Sequence, residues 1–181
     1  MQQLASSLPS LNWDESLLRL ALAALLGGLI GVERELRERE AGLRTHLLVS
    51  LGSAAFTIVG AYGFHDFIAS GEAVVRTDPT RIAAQIVTGI GFLGAGAIIK
   101  RSDEGQVEGL TTAAGIWLTA AIGVAAGMGR EASAILSAAL ALLILAAMPR
   151  IGHLLGEAGT RGRTAGRTGS PDQHKPARGG S

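Results

Sequence analysis

GIGFLGAG, Gly89 to Gly96, is the stretch on which the fold turns. Its Gly89, Gly91 and Gly94 have the G-x-G-x-x-G spacing of a dinucleotide loop. Such a loop needs a strand before it, a helix of ten or more residues after it, and an acidic residue closing a second strand. Glu108 stands about 20 residues onward, as that pattern asks. Between them, however, only AIIK is apolar enough for a helix before the polar turn RSDEGQVEG begins. The nucleotide reading fails, and the glycines belong instead to an uncharged run from Ile82 to Ile99. Two readings of that run stay open. Small residues let helix backbones approach in lipid. Glycine also weakens a helix by about 1 kcal/mol relative to alanine, which permits a broken segment whose freed backbone groups line a polar cavity.

Four further runs lack Asp, Glu, Lys and Arg: Leu20 to Val32, Thr45 to Phe64, Gly109 to Gly129 and Ala132 to Pro149. A helix rises 1.5 Å per residue, so about 18 to 21 residues cross the roughly 30 Å hydrocarbon layer. The short first run therefore starts near Ser16, with Arg19 in its first turn reaching back to the interface. The chain of 181 residues is 48% hydrophobic and 17% charged, and its mean hydropathy is +0.34. These values describe an all-α membrane protein of about five transmembrane helices. Residues 1–15 hold no Lys or Arg and end in Asp14 and Glu15, so they read as a short extracytoplasmic N-terminus without a cleavable signal. The absence of cysteine excludes thiolate metal sites, thiol nucleophiles and disulfides.

Net charge is only +1, but its placement is informative. The loop after the first run carries Arg34, Arg37, Arg39 and Arg44, and the loop after the third carries Lys100 and Arg101. Arg150, Arg161, Arg163, Arg167, Lys175 and Arg178 follow the fifth. Positive residues mark cytoplasmic loops, so the N-terminus is expected outside and the C-terminus in the cytoplasm. ERELRERE, Glu33 to Glu40, offers Glu33 with Arg37, Arg34 with Glu38 and Glu35 with Arg39 at i,i+4, and is expected to prolong the first helix. Residues 16–149 thus form the membrane domain, and 150–181, rich in Gly, Ser, Pro and Arg, read as a disordered basic cytoplasmic tail.

Sliding the chain on itself by 67 residues lays LLGGLIGVER, Leu25 to Arg34, on FLGAGAIIKR, Phe92 to Arg101, without a gap. The same offset puts GLRT at Gly42 on GLTT at Gly109, and Gly60 on Gly127. A two-helix internal repeat related by an axis along the membrane normal has this signature. The fifth helix would then be unpaired.

Polar residues gather at both faces. Glu33, Arg34, Arg44, Thr45, His46, Glu108, Thr111 and Thr112 lie at the ends expected inside. On the other side, Asp78 and Pro79 form a helix start signal with Arg81 in the first turn. Gln85, one turn deeper, either hydrogen-bonds a neighbouring helix or lines a solute path. Asp66 and Asp78 are weak candidate ligands for Mg²⁺, which takes one or two carboxylates and keeps its water. No other cofactor is expected. His46, His65, His153 and His174 lack the partners of a zinc or triad motif, and nothing points to an enzyme or to nucleic acid.

GGLIGVERE, AGLRTH, DPTRIAAQIVTGIGFLGAGAII and GLTTAAGIWLTAAIGVAAGMG follow one another between about residues 16 and 148. In these four motifs the chain resembles the MgtC/SapB family of bacterial inner-membrane proteins. The resemblance implies about five spans with the charge-derived orientation, in the bacterial inner membrane. It also implies a link to magnesium homeostasis and growth in low magnesium. Virulence-linked members are thought to act on partner membrane proteins, including the ATP synthase. Longer members add a cytoplasmic domain resembling the ACT fold, for which this chain has its short basic tail, and Glu108 stands where members often carry Arg. Carried over by motif, the functional positions are Glu33, Arg34, Arg44, Thr45, Asp78, Arg81, Gln85, Gly89, Gly91, Gly94, Gly96, Thr111 and Thr112. In that reading Arg44 and Arg81 hold paired carboxylates, the glycines close helix contacts, and Thr111 and Thr112 cap the fourth span or bond a neighbouring helix. The expected function is a non-enzymatic regulator or accessory protein of magnesium homeostasis acting through a membrane partner or a second copy of itself. The alternative is a small transporter or channel for Mg²⁺ or another small solute.

Overall fold

The computed structural model describes residues 11–63, 78–100 and 107–147. Five helices occupy them, each over one of the uncharged runs: α1 (Trp13–Leu36), α2 (Leu43–Tyr62), α3 (Pro79–Ala97), α4 (Leu110–Gly127) and α5 (Glu131–Ala147). Helices α1, α2 and α4 are long and apolar enough to cross a membrane. Helix α3 has 19 residues, and α5 is a shorter apolar helix. The only extended structure among the described residues is a two-residue antiparallel pair, β1 (Ile99–Lys100) and β2 (Val107–Glu108), which places Ile99 opposite Glu108. β1 precedes the segment read from sequence as a polar turn, and β2 lies within it. The expected tail at 150–181, most of the N-terminal segment, Asp66, His65, His153 and His174 lie outside the described residues.

Tertiary contacts divide the chain into residues 1–142 and 143–181, and the packing described below lies within the first. In the second, residues 143–147 are helical.

Side chains sort inside out compared with a water-soluble domain. Leu18, Phe56 and Phe92 are 69%, 67% and 83% exposed, whereas Ser50, Thr119 and His46 are wholly buried. Large apolar groups facing outward have no counterpart in water but suit an acyl-chain solvent, in which small and polar residues form helix contacts. The buried apolar residues are mostly small, Ala23, Ala54, Ala120 and Ala126 among them, with Ile30 and Ile122 filling the gaps between helices. In α5, Ala134, Ala138 and Ala141 form the buried stripe at i, i+4 and i+7.

Helix α1 packs on α2 and α4, and α3 packs on α4 and α2. The first helix of each pair therefore lies against its own partner and also against the second helix of the other pair. Leu43 and Leu110, 67 residues apart, each open a helix behind a glycine, Gly42 and Gly109. These positions follow the offset found in the sequence. Gly109 has a left-handed φ of 84°, and Ala97 O lies where its Cβ would stand, so only glycine fits there.

The Gly27 and Gly31 pair brings α1 onto α2. A Cβ on Gly27 would stand 2.5 Å from Ser50 Cβ and 2.7 Å from His46 O, and one on Gly31 2.7 Å from Leu43 Cα. Gly127 does the same for α4 on α2, with Ala54 O 2.7 Å away. Helix α3 runs unbroken through Gly89 to Gly96, which removes the broken-segment reading. Tight packing does not hold for these glycines: a Cβ on Gly94 would make only ordinary contact with Ala113 Cβ, at 3.7 Å, and one on Gly89, Gly91 or Gly96 would meet nothing within 4 Å.

Candidate functional site

The polar residues form two ends and a connecting stripe. At one end, α1 stops at Leu36 rather than continuing through ERELRERE as expected. Glu38 takes a positive φ of 53°, and the N–H groups of Arg37 and Arg39 return to Arg34 O. Of the three anticipated i,i+4 pairs only Glu33 with Arg37 forms, at 2.5 Å. Arg34, 2% exposed, binds the neighbouring Glu33 instead, with Nε 2.6 Å and Nη2 2.5 Å from Oε2. Glu33 thus sits between two guanidinium groups. Its Oε1 attracts Arg37 by charge alone, because the N–H does not point along a hydrogen-bond line.

The two remaining acids of the turn that bind across it organise other helices. Glu35 Oε2 accepts from the backbone N–H of Leu43 at 2.9 Å and so caps α2 from another helix. Gly42 has no side chain to obstruct that carboxylate. Glu40 Oε2 accepts from Thr112 Oγ1 at 2.6 Å, tying the turn to the start of α4. That bond, with the backbone bond at Glu40 and the nearby Arg39, holds the Glu40 carboxyl below its ordinary value of 4.5. Thr112 therefore bonds a neighbouring segment rather than capping its own helix, whose N-cap is Gly109, and Thr111 is exposed.

At the other end, Arg19 is 9% exposed and its head lies among the helix ends. It donates to Tyr62 O–H and to Gly127 O, both at 2.9 Å, pairs with Glu15, and lies 5.2 Å from the centroid of the Tyr62 ring. One guanidinium thereby joins the start of α1 to the ends of α2 and α4, a geometry that a planar fork of donors suits.

Between the ends, α2 presents His46, Ser50, Ser53 and Thr57, all buried, at i, i+4, i+7 and i+11. Thr57 Oγ1 donates back to Ser53 O at 2.7 Å. Gly27, Gly31, Gly123 and Gly127 admit this stripe between α1 and α4. Sequence reading placed no function on it, although four hydroxyl or imidazole residues at heptad-like spacing inside an uncharged run were visible.

The sites carried over by motif divide accordingly. Glu33, Arg34 and Thr112 belong to the built end, with His46 one turn into α2. Arg44 is exposed and Thr45 half-buried, both in the first turn of α2. Asp78 caps α3 as the start signal required, accepting from Thr80 N–H at 3.0 Å and Thr80 Oγ1 at 2.6 Å. Those bonds, with a smaller contribution from Arg81, lower its carboxyl from the ordinary 3.8. Neither Arg44 nor Arg81 makes an ion pair with a described residue, so their expected carboxylate pairs are not found there. No three His, Asp or Glu residues cluster to hold a metal among the described residues. Asp66, the other weak candidate, lies outside them.

Gln85 and Gly89 line a different feature, an apolar groove of about 640 Å³ between α2 and α3. Leu48, Gly52, Phe56 and Leu93 form other parts of its wall, with Ser53 of the polar stripe at its base, and it opens on the lipid-facing surface. The Gln85 side chain is exposed and has no partner among the described residues.

The MgtC family model matches residues 20–154. The chain is 50% identical over 131 residues to "Putative magnesium transporter YhiD" of Escherichia coli strain K12, covering 72% of this chain and 59% of the relative. It is 46% identical over 134 residues to the protein slr0014 of Synechocystis, covering 74% and 52%. With the protein named MgtC of Brucella abortus strain 2308 it shares 53% over 111 residues, covering 61% and 41%. The matches thus span between about two fifths and three fifths of these curated relatives' lengths. No solved structure matches. From within α1 to beyond the end of α5, the match takes in the built end, the polar stripe and the groove, and the chain belongs to the MgtC family.

Proposed function

We propose that this protein is a multi-pass inner-membrane protein of magnesium homeostasis, with its N-terminus outside, that assists or regulates a partner membrane protein and catalyses no reaction. The groove between α2 and α3 carries this reading. An acyl chain gains nothing from an amide or from missing side chains. A partner's transmembrane helix gains both a hydrogen bond and close backbone approach. Gln85 supplies the amide, and Gly52 and Gly89 the open backbone. One transmembrane helix of a partner protein is the occupant that fits, and the membrane part of the ATP synthase is the partner the family resemblance names. The link to magnesium rests on the family and on the printed name of YhiD.

Transport of Mg²⁺ is the second reading, favoured by that same name and by the buried hydroxyls of α2. The stripe is closed by glycine contacts from α1 and α4, which favours the first.

Gly52→Phe and Gly89→Phe test the choice, because a Cβ at either position meets nothing within 4 Å and both positions line the groove that the ring would fill. Each variant is expected to accumulate normally but fail to restore a deletion strain's growth in low magnesium. A photocrosslinker at Phe56 should link to a partner subunit, whereas one at Leu136 should not. Proteoliposomes of the purified chain should take up no Mg²⁺. Mg²⁺ flux, or full growth with both groove variants, overturns the proposal, and a crosslink only to a second copy makes the occupant the protein itself.

A further inference from the structure

His46, Ser50 and Thr119 are each completely buried, and each carries a polar atom, Nε2, Oγ and Oγ1, with no partner among the described protein groups. The contacts of His46 and Ser50 with glycines of α4 set all three along the seam of α2 and α4. His46 Nε2 approaches Gly115, 3.5 Å from where a Cβ there would stand, and Ser50 O meets Gly123. Thr119 is one helical turn from each of those glycines, which sets it level with Ser50. Gly27 of α1 admits the Ser50 side chain from the third direction, with Oγ 3.2 Å from its Cβ position.

The imidazole's hydrogen-bonding roles are fixed. His46 Nδ1 lies 3.0 Å from Gly42 O, and a carbonyl only accepts, so Nδ1 bears the proton and Nε2 of the neutral ring is an acceptor. One acceptor and two hydroxyls, buried in one turn of a membrane domain, leave unmet hydrogen bonds that are costly without water or a partner. Buried waters typically make about three hydrogen bonds to such groups.

We propose that the α1, α2 and α4 junction binds an internal water molecule, held by His46 Nε2, Ser50 Oγ and Thr119 Oγ1. The water donates one O–H to Nε2 and its other to one hydroxyl oxygen, and accepts the O–H of the second. Gly115 provides the space beside the ring, and no ion is needed to satisfy the set.

Gly115→Ala and Thr119→Val decide the matter by sign. A methyl at Gly115 makes ordinary contact with the ring, so in a dry junction it fills space and strengthens α4. Valine likewise removes an orphaned hydroxyl from a dry junction without a change of shape. With the water present, both changes strand polar atoms. Each is then expected to lower the folding equilibrium constant about five- to tenfold in detergent unfolding. Nitrogen-15 and proton NMR of His46 should show Nδ1–H and a water contact at Nε2 that Gly115→Ala abolishes. Unchanged or raised stability in both variants, or no water contact at the wild-type ring, overturns the proposal.

Discussion

Exchange of Gly27 for alanine tests the packing of α1 on α2 most directly. The added Cβ would lie 2.5 Å from Ser50 Cβ and 2.7 Å from His46 O. Carbon atoms rest about 3.5 to 4.0 Å apart, so the helices must part by about 1 Å where they cross. Neither contact atom is the free end of a flexible side chain, and the neighbouring crossing at Gly31 is equally close. Overpacking of this kind costs about 1 to 3 kcal/mol, against which alanine returns up to about 1 kcal/mol of helix propensity. With the full return the net loss is about 0 to 2 kcal/mol. Gly91→Ala makes the same chemical change in open space, and Gly94→Ala adds only an ordinary contact with Ala113. Those two should be neutral or stabilising by up to about 1 kcal/mol. Unfolding in mixed micelles, followed by the fluorescence of Trp13 and Trp117, should separate Gly27→Ala from Gly91→Ala by about 2 kcal/mol. That corresponds to roughly thirtyfold in the equilibrium constant. Equal stability of the two variants would refute the reasoning, since only the difference in surroundings distinguishes them.

Two further outcomes are expected. Arg19→Leu should destabilise by about 2 kcal/mol in the same assay, because it removes bonds to Tyr62 and Gly127 O while Glu15, half exposed, is readily solvated. Arg19→Lys should recover only part of this, since an ammonium cannot span both acceptors in one plane. The Glu40 carboxyl, lowered below 4.5 by Thr112, contributes stability at neutral pH that is lost as pH falls through its folded value. The difference in melting temperature between wild type and Glu40→Gln should therefore shrink between about pH 5 and pH 3, and a constant difference would contradict the assignment.

The five uncharged runs located all five helices, because a segment that must satisfy its own backbone in lipid declares itself by length and lack of charge. Asp78 and Pro79 marked the start of α3, and G-x-x-x-G at Gly27 marked the crossing of α1 and α2. Capping and close approach depend on residues a few positions apart, so sequence reading reaches them. The 67-residue offset was also legible, and the glycine-led starts of α2 and α4 follow it.

The partners of the charged groups were decided only by tertiary structure. At i,i+4 the pairs Arg34 with Glu38 and Glu35 with Arg39 were as plausible as Glu33 with Arg37. Glu38 instead leaves the helix, Glu35 is drawn to the bare N-terminus of α2, and Glu40 to Thr112, 72 residues away. Glycines with one local pattern likewise separate into buried Gly94 and open Gly89, Gly91 and Gly96, because their roles depend on which face meets α4. Hydropathy and turn chemistry are local quantities, and the chain alone determined what they govern. Hydrogen-bond partners and contacts between distant segments depend on which surfaces meet, and that is fixed only once the helices are packed.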